Sequence, residues 1–338
     1  MVEEGFNVRE VELWLSGEVD PYFKAYTTIA VSEEGAELEE IVAQTTGLPL
    51  GFQLLGGKFL SHFGRINSQH PHEWDFIDRP LIYALSFGDH GLLEKGIQLS
   101  WLAPAPFHLL FGLEAFQGKN EKMFNTVGGD FLPDRDGPRA WVGWLKLAPH
   151  LPQNHGVQAG LFGGLGDHQE AHVEEAQSAH YLDGTSVFGG ADLVYKYDTG
   201  KAHGGGDFIV QAEYFYRKQD LDIVYHASHP ELIGRSRENR QDGYYVQALY
   251  GIWPRWRVGT RWEEAGLTNE IDLPDGTGLT FDESCRWSGM LDFSPTEFSR
   301  LRLQVNRGDY VLEDKSEDFW QIYLQLLISI GTHGAHKF

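Results

Sequence analysis

The residue types that could do chemistry are concentrated in one stretch of the sequence, residues 62–94. Its charged residues surround several aromatic side chains and include Arg65, Glu73, Asp75, Asp78 and Arg79. A long link with aromatic anchors is usually functional or folded inward, and rings of charged side chains select ions in channels. The stretch therefore predicts an inward-folded constriction loop. The alternative is a packed surface loop with ordinary salt bridges.

A metal site is a second hypothesis for the same stretch. His70 and His72 flank Pro71, and Glu73 and Asp75 lie close by. Imidazole and carboxylate together suit Zn²⁺ or Cu²⁺. The spacing does not dictate a fourth ligand, however, so a loop without a metal is the alternative.

Seven arginines form a third pattern, because they share the inward-facing parity of neighbouring predicted strands: Arg217, Arg255, Arg257, Arg261, Arg286, Arg300 and Arg302. An arginine facing lipid at mid-bilayer costs about 2–4 kcal/mol, so these side chains are expected to line a lumen. They could form a cationic pore wall. Alternatively, they neutralise lumenal Asp and Glu and merely support the wall.

The elements that position these residues are predicted to be β-strands with period-two alternation. The clearest lies near the C-terminus, where the apolar stripe is Trp320, Ile322, Leu324, Leu326, Ile328 and Ile330. Short Pro-containing links alternate with long links at 62–94, 118–138, 166–184, 219–242, 265–284 and 308–317. Short turns at one end and long loops at the other are typical of outer-membrane barrels. The sequence thus predicts an all-β fold, a single transmembrane antiparallel up-and-down β-barrel spanning residues 1–338.

Composition narrows the class of partner. The net charge of −22 argues against nucleic acid. The single cysteine, Cys285, excludes an intrachain disulfide. Residues 1–4 lack the basic and apolar regions of a signal peptide. No nucleophile elbow, His-Glu-x-x-His or P-loop motif is present, so we expect neither an enzyme nor a cofactor.

The number of strands poses a problem at the N-terminus. About fifteen segments read as strands, whereas a bacterial single-chain barrel usually has an even number. We therefore predict about sixteen strands, with the first one missing or atypical. The terminal aromatic residue, Phe338, is predicted to act as the assembly signal.

Several segments resemble the phosphate-selective-porin-like family of outer-membrane proteins. They are residues 6–13 with 19–22, residues 36–40, residues 57–65, and a branch-specific pair, 67–76 and the ending Gly334-Ala335-His336-Lys337-Phe338. The resemblance spans nearly the whole chain and implies a barrel in the bacterial outer membrane. The sequence departs from the family's terminal pattern at Thr332, Gly334 and His336, which are not apolar.

The function expected from these features is that of a porin, which passes small hydrophilic solutes or ions through the outer membrane by passive diffusion. Its partners would be the lipid bilayer and those solutes, with a homotrimer expected by analogy with porins of this size. Two alternatives remain. One is a barrel that sheathes a multihaem cytochrome partner, and the other is a metal-ion uptake channel that uses the His-rich loops.

Overall fold

The computed structural model describes residues 4–128, 131–173, 179–312 and 315–331, which form one antiparallel sheet of sixteen strands. The strands pair in chain order from β1 to β16, except that the three-residue β13 pairs with β12 beside this path. The predicted all-β, up-and-down antiparallel fold is confirmed. The strands are β1 (Val11–Glu18), β2 (Phe23–Ser32), β3 (Gly35–Thr45), β4 (Phe52–Leu60), β5 (Leu93–Leu102), β6 (His108–Phe116), β7 (Ala140–Ala148), β8 (His155–His172), β9 (His180–Tyr197), β10 (Phe208–His226), β11 (Ser236–Trp253), β12 (Trp256–Asp272), β13 (Gly278–Thr280), β14 (Ser284–Thr296), β15 (Ser299–Leu312) and β16 (Lys315–Ile328).

The strands bury one face and expose the other. In β16 the apolar stripe found in the sequence is exposed, with Leu324 at 72 %, while Gln321, Tyr323 and Gln325 are half-buried on the other face. Successive side chains of a strand point to opposite sides of the sheet. On β16 the outer surface is therefore apolar and the inner surface polar, as a lipid-facing wall requires.

The two ends of the strand path, β1 and β16, each pair with a single neighbour within the described ranges. Leaving out β13, the path has fifteen strands (16 − 1), so antiparallel steps leave β1 and β16 running in the same direction. Outward side chains are more exposed on β16 than on β15, with Ile322 at 72 % and Leu303 at 42 %. Within the described residues the strand path thus agrees with the tally of fifteen from the sequence, and no backbone ladder joins β1 to β16.

The prediction of long loops is wrong for four of the links, because strands continue through most of their residues. Residues 166–184, 219–242, 265–284 and 308–317 lie largely in hairpins, for example β10 paired with β11 from Phe208 to Asp222. At this end of the hairpins polar residues occupy both faces, so the period-two signal disappears. The backbone ladder nevertheless continues, because it needs no apolar face.

The link between β4 and β5, residues 61–92, lies inside the ring of strands and is here called the inner loop. It contains the helix α1 (Leu81–Phe87). Phe63, Trp74 and Tyr83 of this loop are at most 2 % exposed and pack in one buried cluster with residues of the wall. The main apolar core of the protein is therefore within the lumen.

No helix among the described residues is both long enough and apolar enough to span a membrane.

Candidate pore and its inner loop

Buried carboxylates on the wall anchor the start of the inner loop. Glu213 on β10 accepts hydrogen bonds from the backbone N–H groups of Arg65 (3.0 Å) and Ile66 (2.9 Å), and from the hydroxyl of Tyr83 (2.5 Å). It also accepts one from the hydroxyl of Tyr245. A buried carboxylate is stable only when its lone pairs are satisfied, and here loop donors satisfy them.

Further anchors lie around the wall. Glu114 on β6 accepts from the N–H of His62 (2.9 Å), and Glu263 on β12 accepts from the N–H of Leu81 (2.7 Å). On β15, the Gln304 side-chain oxygen accepts from the N–H of Ile77 (2.7 Å). The inner loop is therefore held from several sides of the lumen and not only at its two ends.

Asp78 is the main charged anchor of the inner loop. Its carboxylate contacts Arg261 Nη2 on β12 at 2.6 Å and Arg286 Nη1 on β14 at 2.8 Å. Burial alone would raise the pKa of Asp78, but the two guanidinium groups outweigh it and hold that pKa well below its ordinary value. Asp78 thus stays ionised and joins the loop to two strands.

The predicted cationic pore wall needs correction at four of its seven arginines. Arg261, Arg286 and Arg302 are at most 5 % exposed and lie in ion pairs with Asp78, Glu263 and Asp292. Burial in ion pairs removes them from any aqueous lining. Arg255 lies exposed in the tight turn between β11 and β12, where the strands have ended.

The other three predicted arginines face the lumen in different places. Arg217 lines a cavity of about 390 Å³ at the long-hairpin end, together with Lys122, His168 and Glu170. Arg257 contacts Asp75 of the inner loop at 3.2 Å, and Arg300 donates to the backbone oxygen of His72 at 2.9 Å. The parity argument therefore identified the inward direction correctly, but not which arginines meet water.

An aromatic layer lies between this cavity at the long-hairpin end and the short-turn end of the lumen. Phe63 packs against Phe162 and Phe188 of the wall at ring-centroid distances of 5.1 Å each, and against Phe87 of α1 at 5.2 Å. Phe87 in turn packs against Phe215 at 5.2 Å. The lumen is thus filled by side chains along β8, β9 and β10.

Four basic side chains face the lumen at the short-turn end of the strands, near residues 149–154, 198–207, 254–255 and 297–298. This basic ring consists of Lys146, Lys196, Arg257 and Arg300, each within three residues of the end of its strand. Lys196 lies close enough to Arg65 and Asp75 to interact with both charges. Sequence reasoning missed the two lysines, although their strand parity could have indicated them.

The remaining predicted loop residues have structural contacts. Glu73 accepts a hydrogen bond from the N–H of His70 at 3.3 Å and caps a short 3-10 turn at Pro71–Glu73. Arg79 lies over the ring of Trp74 at 4.9 Å. These contacts shape the loop, whereas Arg65 and Asp75 lie nearest the basic ring.

The two predicted metal ligands lie side by side where the inner loop meets β1 and β3. The rings of His70 and His72 stack at 5.9 Å. Glu12 Oε2 is 3.7 Å from His70 Nδ1 and 3.1 Å from His72 Nδ1, and Glu39 Oε2 is 3.5 Å from His70 Nδ1. Sequence reasoning had not associated Glu12 or Glu39 with these histidines.

The predicted assembly signal, Phe338, lies outside the described residues.

Comparison with known proteins gives one relative and several structures of the same fold. The chain is 39 % identical over 350 residues to an uncharacterized protein of Aquifex aeolicus, covering 99 % of this chain and 71 % of the relative. No protein-family profile matches the sequence.

Two solved structures share the architecture at low identity. One is the trimer form of OmpT, an outer membrane protein of Vibrio cholerae (11 % identity, 92 % of this chain and 85 % of that chain, TM-score 0.50). The other is an anion-selective porin from Comamonas acidovorans (11 % identity, 95 % of this chain and 84 % of that chain, TM-score 0.51). At such identities the likeness establishes the fold.

Proposed function

Since the chain belongs to the same family as the Aquifex aeolicus protein and has the fold of outer-membrane porins, we propose that it is a channel of the bacterial outer membrane. It passes small hydrophilic solutes or ions by diffusion. The observation that carries the proposal is the inner loop, which is pinned inside the ring of strands by Glu213, Glu263 and Asp78. Selectivity then depends on what this loop leaves open.

The two ends of the lumen differ in the charges that line them. The cavity at the long-hairpin end offers charges of both signs, with Lys122 and Arg217 opposing Glu170. At the short-turn end, the basic ring and Arg65 face three carboxylates, Asp75, Asp192 and Asp292, of which Asp75 and Asp292 contact Arg257 at 3.2 and 2.8 Å. The basic groups outnumber the carboxylates, so this end of the path favours small anions.

The filled lumen weighs against the cytochrome-sheath alternative. Phe63, Phe124 and Phe215 occupy the interior and are at most 1 % exposed. A multihaem cytochrome would need the space that the chain's own loops take up. From the sequence resemblance we also propose a relationship to the phosphate-selective-porin-like proteins. We further propose a homotrimer, which the trimer form of the Vibrio cholerae protein supports.

Planar-bilayer recording of the refolded chain tests the proposal. In a KCl gradient we expect discrete conductance steps and a reversal potential that indicates anion preference. A Lys196→Gln variant should lower that preference, because it removes one charge of the basic ring. Lys218→Gln is the matched control, since Lys218 pairs with Glu238 at 2.8 Å near the long-hairpin end. A silent protein would overturn the channel, and a cation-selective one would overturn the role of the basic ring.

A further inference from the structure

A β-bulge in β3 brings two consecutive glutamates to the inner face of the sheet. Thr28 pairs with Glu40 and Ile29 pairs with Leu38, so Glu39 is an extra residue in the ladder. Both Glu39 and Glu40 are buried, whereas neighbours on a regular strand would point to opposite faces. Bulges of this kind re-aim side chains and are common next to functional sites.

The two glutamates contact opposite edges of one imidazole ring. Glu40 Oε2 is 2.9 Å from His70 Nε2, and its other oxygen accepts from the N–H of Leu60 at 2.9 Å. Glu39 Oε2 faces His70 Nδ1 at 3.5 Å, and Glu12 Oε2 of β1 faces the same nitrogen at 3.7 Å. His70 Nε2 thus has a hydrogen-bonded partner, whereas Nδ1 faces the space between the carboxylates of Glu12 and Glu39.

The distances at that gap are long for hydrogen bonds, which have donor–acceptor distances of about 2.7–3.2 Å. Glu39 is 8 % exposed, and its Oε2 atom has no hydrogen-bond partner within the described part of the chain. Its nearest basic atom is His70 Nδ1 at 3.5 Å, and a buried carboxylate oxygen without a hydrogen bond is costly. A cation bound between the three groups would contact this oxygen directly.

A tetrahedral metal ion fits the same distances. Zn²⁺ binds histidine nitrogen and carboxylate oxygen at about 2.0–2.2 Å, which places two of its ligands roughly 3.4 Å apart. The two distances from His70 Nδ1 are 3.5 and 3.7 Å, and all three ligand atoms lie within 4.8 Å of one another. His72 Nδ1, 3.1 Å from Glu12 Oε2, is placed to complete or support the set.

The second contact of His70 has the form found at metal sites. A histidine ligand commonly donates its other ring N–H to a carboxylate, which fixes the ring and raises its basicity. Glu40 is that carboxylate for His70. The arrangement therefore has three possible metal ligands, Glu12, Glu39 and His70, and a carboxylate, Glu40, that orients the histidine.

From these contacts we propose that Glu12, Glu39 and His70 bind a first-row divalent cation, with Zn²⁺ the best match, where the inner loop meets β1 and β3. The ion ties the loop to the wall, with Glu40 orienting His70. The binding site does not depend on the proposed channel function; only an effect on conductance would.

The charges around the site favour a cation. Five carboxylates (Glu10, Glu12, Glu39, Glu40 and Glu73) face two guanidinium groups (Arg9 and Arg79) around His70. The carboxylates outnumber the guanidinium groups, so the local charge stabilises a bound cation.

Zinc titration calorimetry on the refolded full chain tests the proposal, with Zn²⁺ alone as the probe and Ca²⁺ as a comparison. We expect one saturable Zn²⁺ site at neutral pH and no comparable Ca²⁺ binding. Glu39→Gln and His70→Gln should each weaken binding by at least about tenfold.

Glu37→Gln is the matched control, because Glu37 lies on the same strand but is exposed and pairs with Lys58 at 3.3 Å. It should leave zinc binding unchanged. The heat-dependent electrophoretic shift of each variant reports whether the barrel has folded. If the His70→Gln variant does not fold, zinc binding by the Glu39→Gln variant alone tests the site.

Two outcomes would overturn the site. One is no saturable binding up to about 1 mM Zn²⁺, and the other is binding that both substitutions leave intact. Conductance measured without zinc distinguishes this failure from that of the proposed channel, because a zinc-indifferent protein can still conduct.

Discussion

Asp78 of the inner loop and Arg261 of β12 are joined by an ion pair of 2.6 Å, with the Arg261 side chain 2 % exposed. The pair connects a residue inside the lumen to a wall strand 183 positions later in the chain. Arg286 also contacts Asp78, and Glu263 also contacts Arg261, so the pair belongs to a four-residue network with little access to water. Removing one charge unbalances this network.

Replacing Asp78 with asparagine should therefore release this part of the inner loop. Removing one partner of a buried ion pair costs about 3–5 kcal/mol, and here Arg261 and Arg286 would be left to share Glu263 as their counter-charge. Urea unfolding in detergent should show lower stability, and bilayer recording should show larger or noisier conductance. Asp89→Asn is the matched control, since Asp89 is an exposed residue of the same loop; equal effects from both would contradict the anchoring role.

Glu213→Gln should loosen the beginning of the inner loop. The new amide group would face N–H and O–H donors, including the backbone of Arg65 and Ile66, and unsatisfied buried groups cost about 1–3 kcal/mol each. Hydrogen exchange at these two amides should accelerate at least tenfold. Glu264→Gln, which alters a glutamate bonded to Tyr244 at 2.7 Å, should leave their exchange unchanged.

Phe63→Ala should open the aromatic layer. Phe63 is 0 % exposed and contacts rings from both the loop and the wall, so the cavity left behind should cost about 3–5 kcal/mol. We expect an increase in single-channel conductance as well as lower stability. Leu85→Ala, on α1 but 40 % exposed, should change both by far less. An unchanged conductance in Phe63→Ala would show that the path avoids this layer.

Raising the pH should weaken the contact of His70 with the wall in the absence of metal. The pKa of His70 is raised in the folded state, to about 10 against an ordinary 6.5. The stabilisation it provides is therefore complete below pH 6.5 and is lost as the pH rises through about 10. Limited proteolysis of the inner loop should accelerate between pH 8 and about 10.5 in the wild type. His70→Gln should lack that pH-dependent step, and a step that persists in this variant would assign it to another group.

The sequence by itself determined the features that this protein's strands have in common. Period-two alternation, as in the stripe from Trp320 to Ile330, predicted the sheet, its up-and-down order and its apolar outside, because alternation is a local property of each strand. It also identified the inward parity of Arg257 and Arg261. Where polar residues occupy both faces, as between residues 219 and 242, the alternation is absent, and the sequence predicts loops at positions where the structure has strands.

Only the tertiary structure decided what the inward residues meet. Whether an arginine faces water or a buried carboxylate depends on which loop residue lies opposite, as Asp78 does for Arg261 and Arg286. The bulge that aims both Glu39 and Glu40 at His70 depends on the register between β2 and β3. These relationships join residues distant in the chain, and no local pattern in the sequence records them.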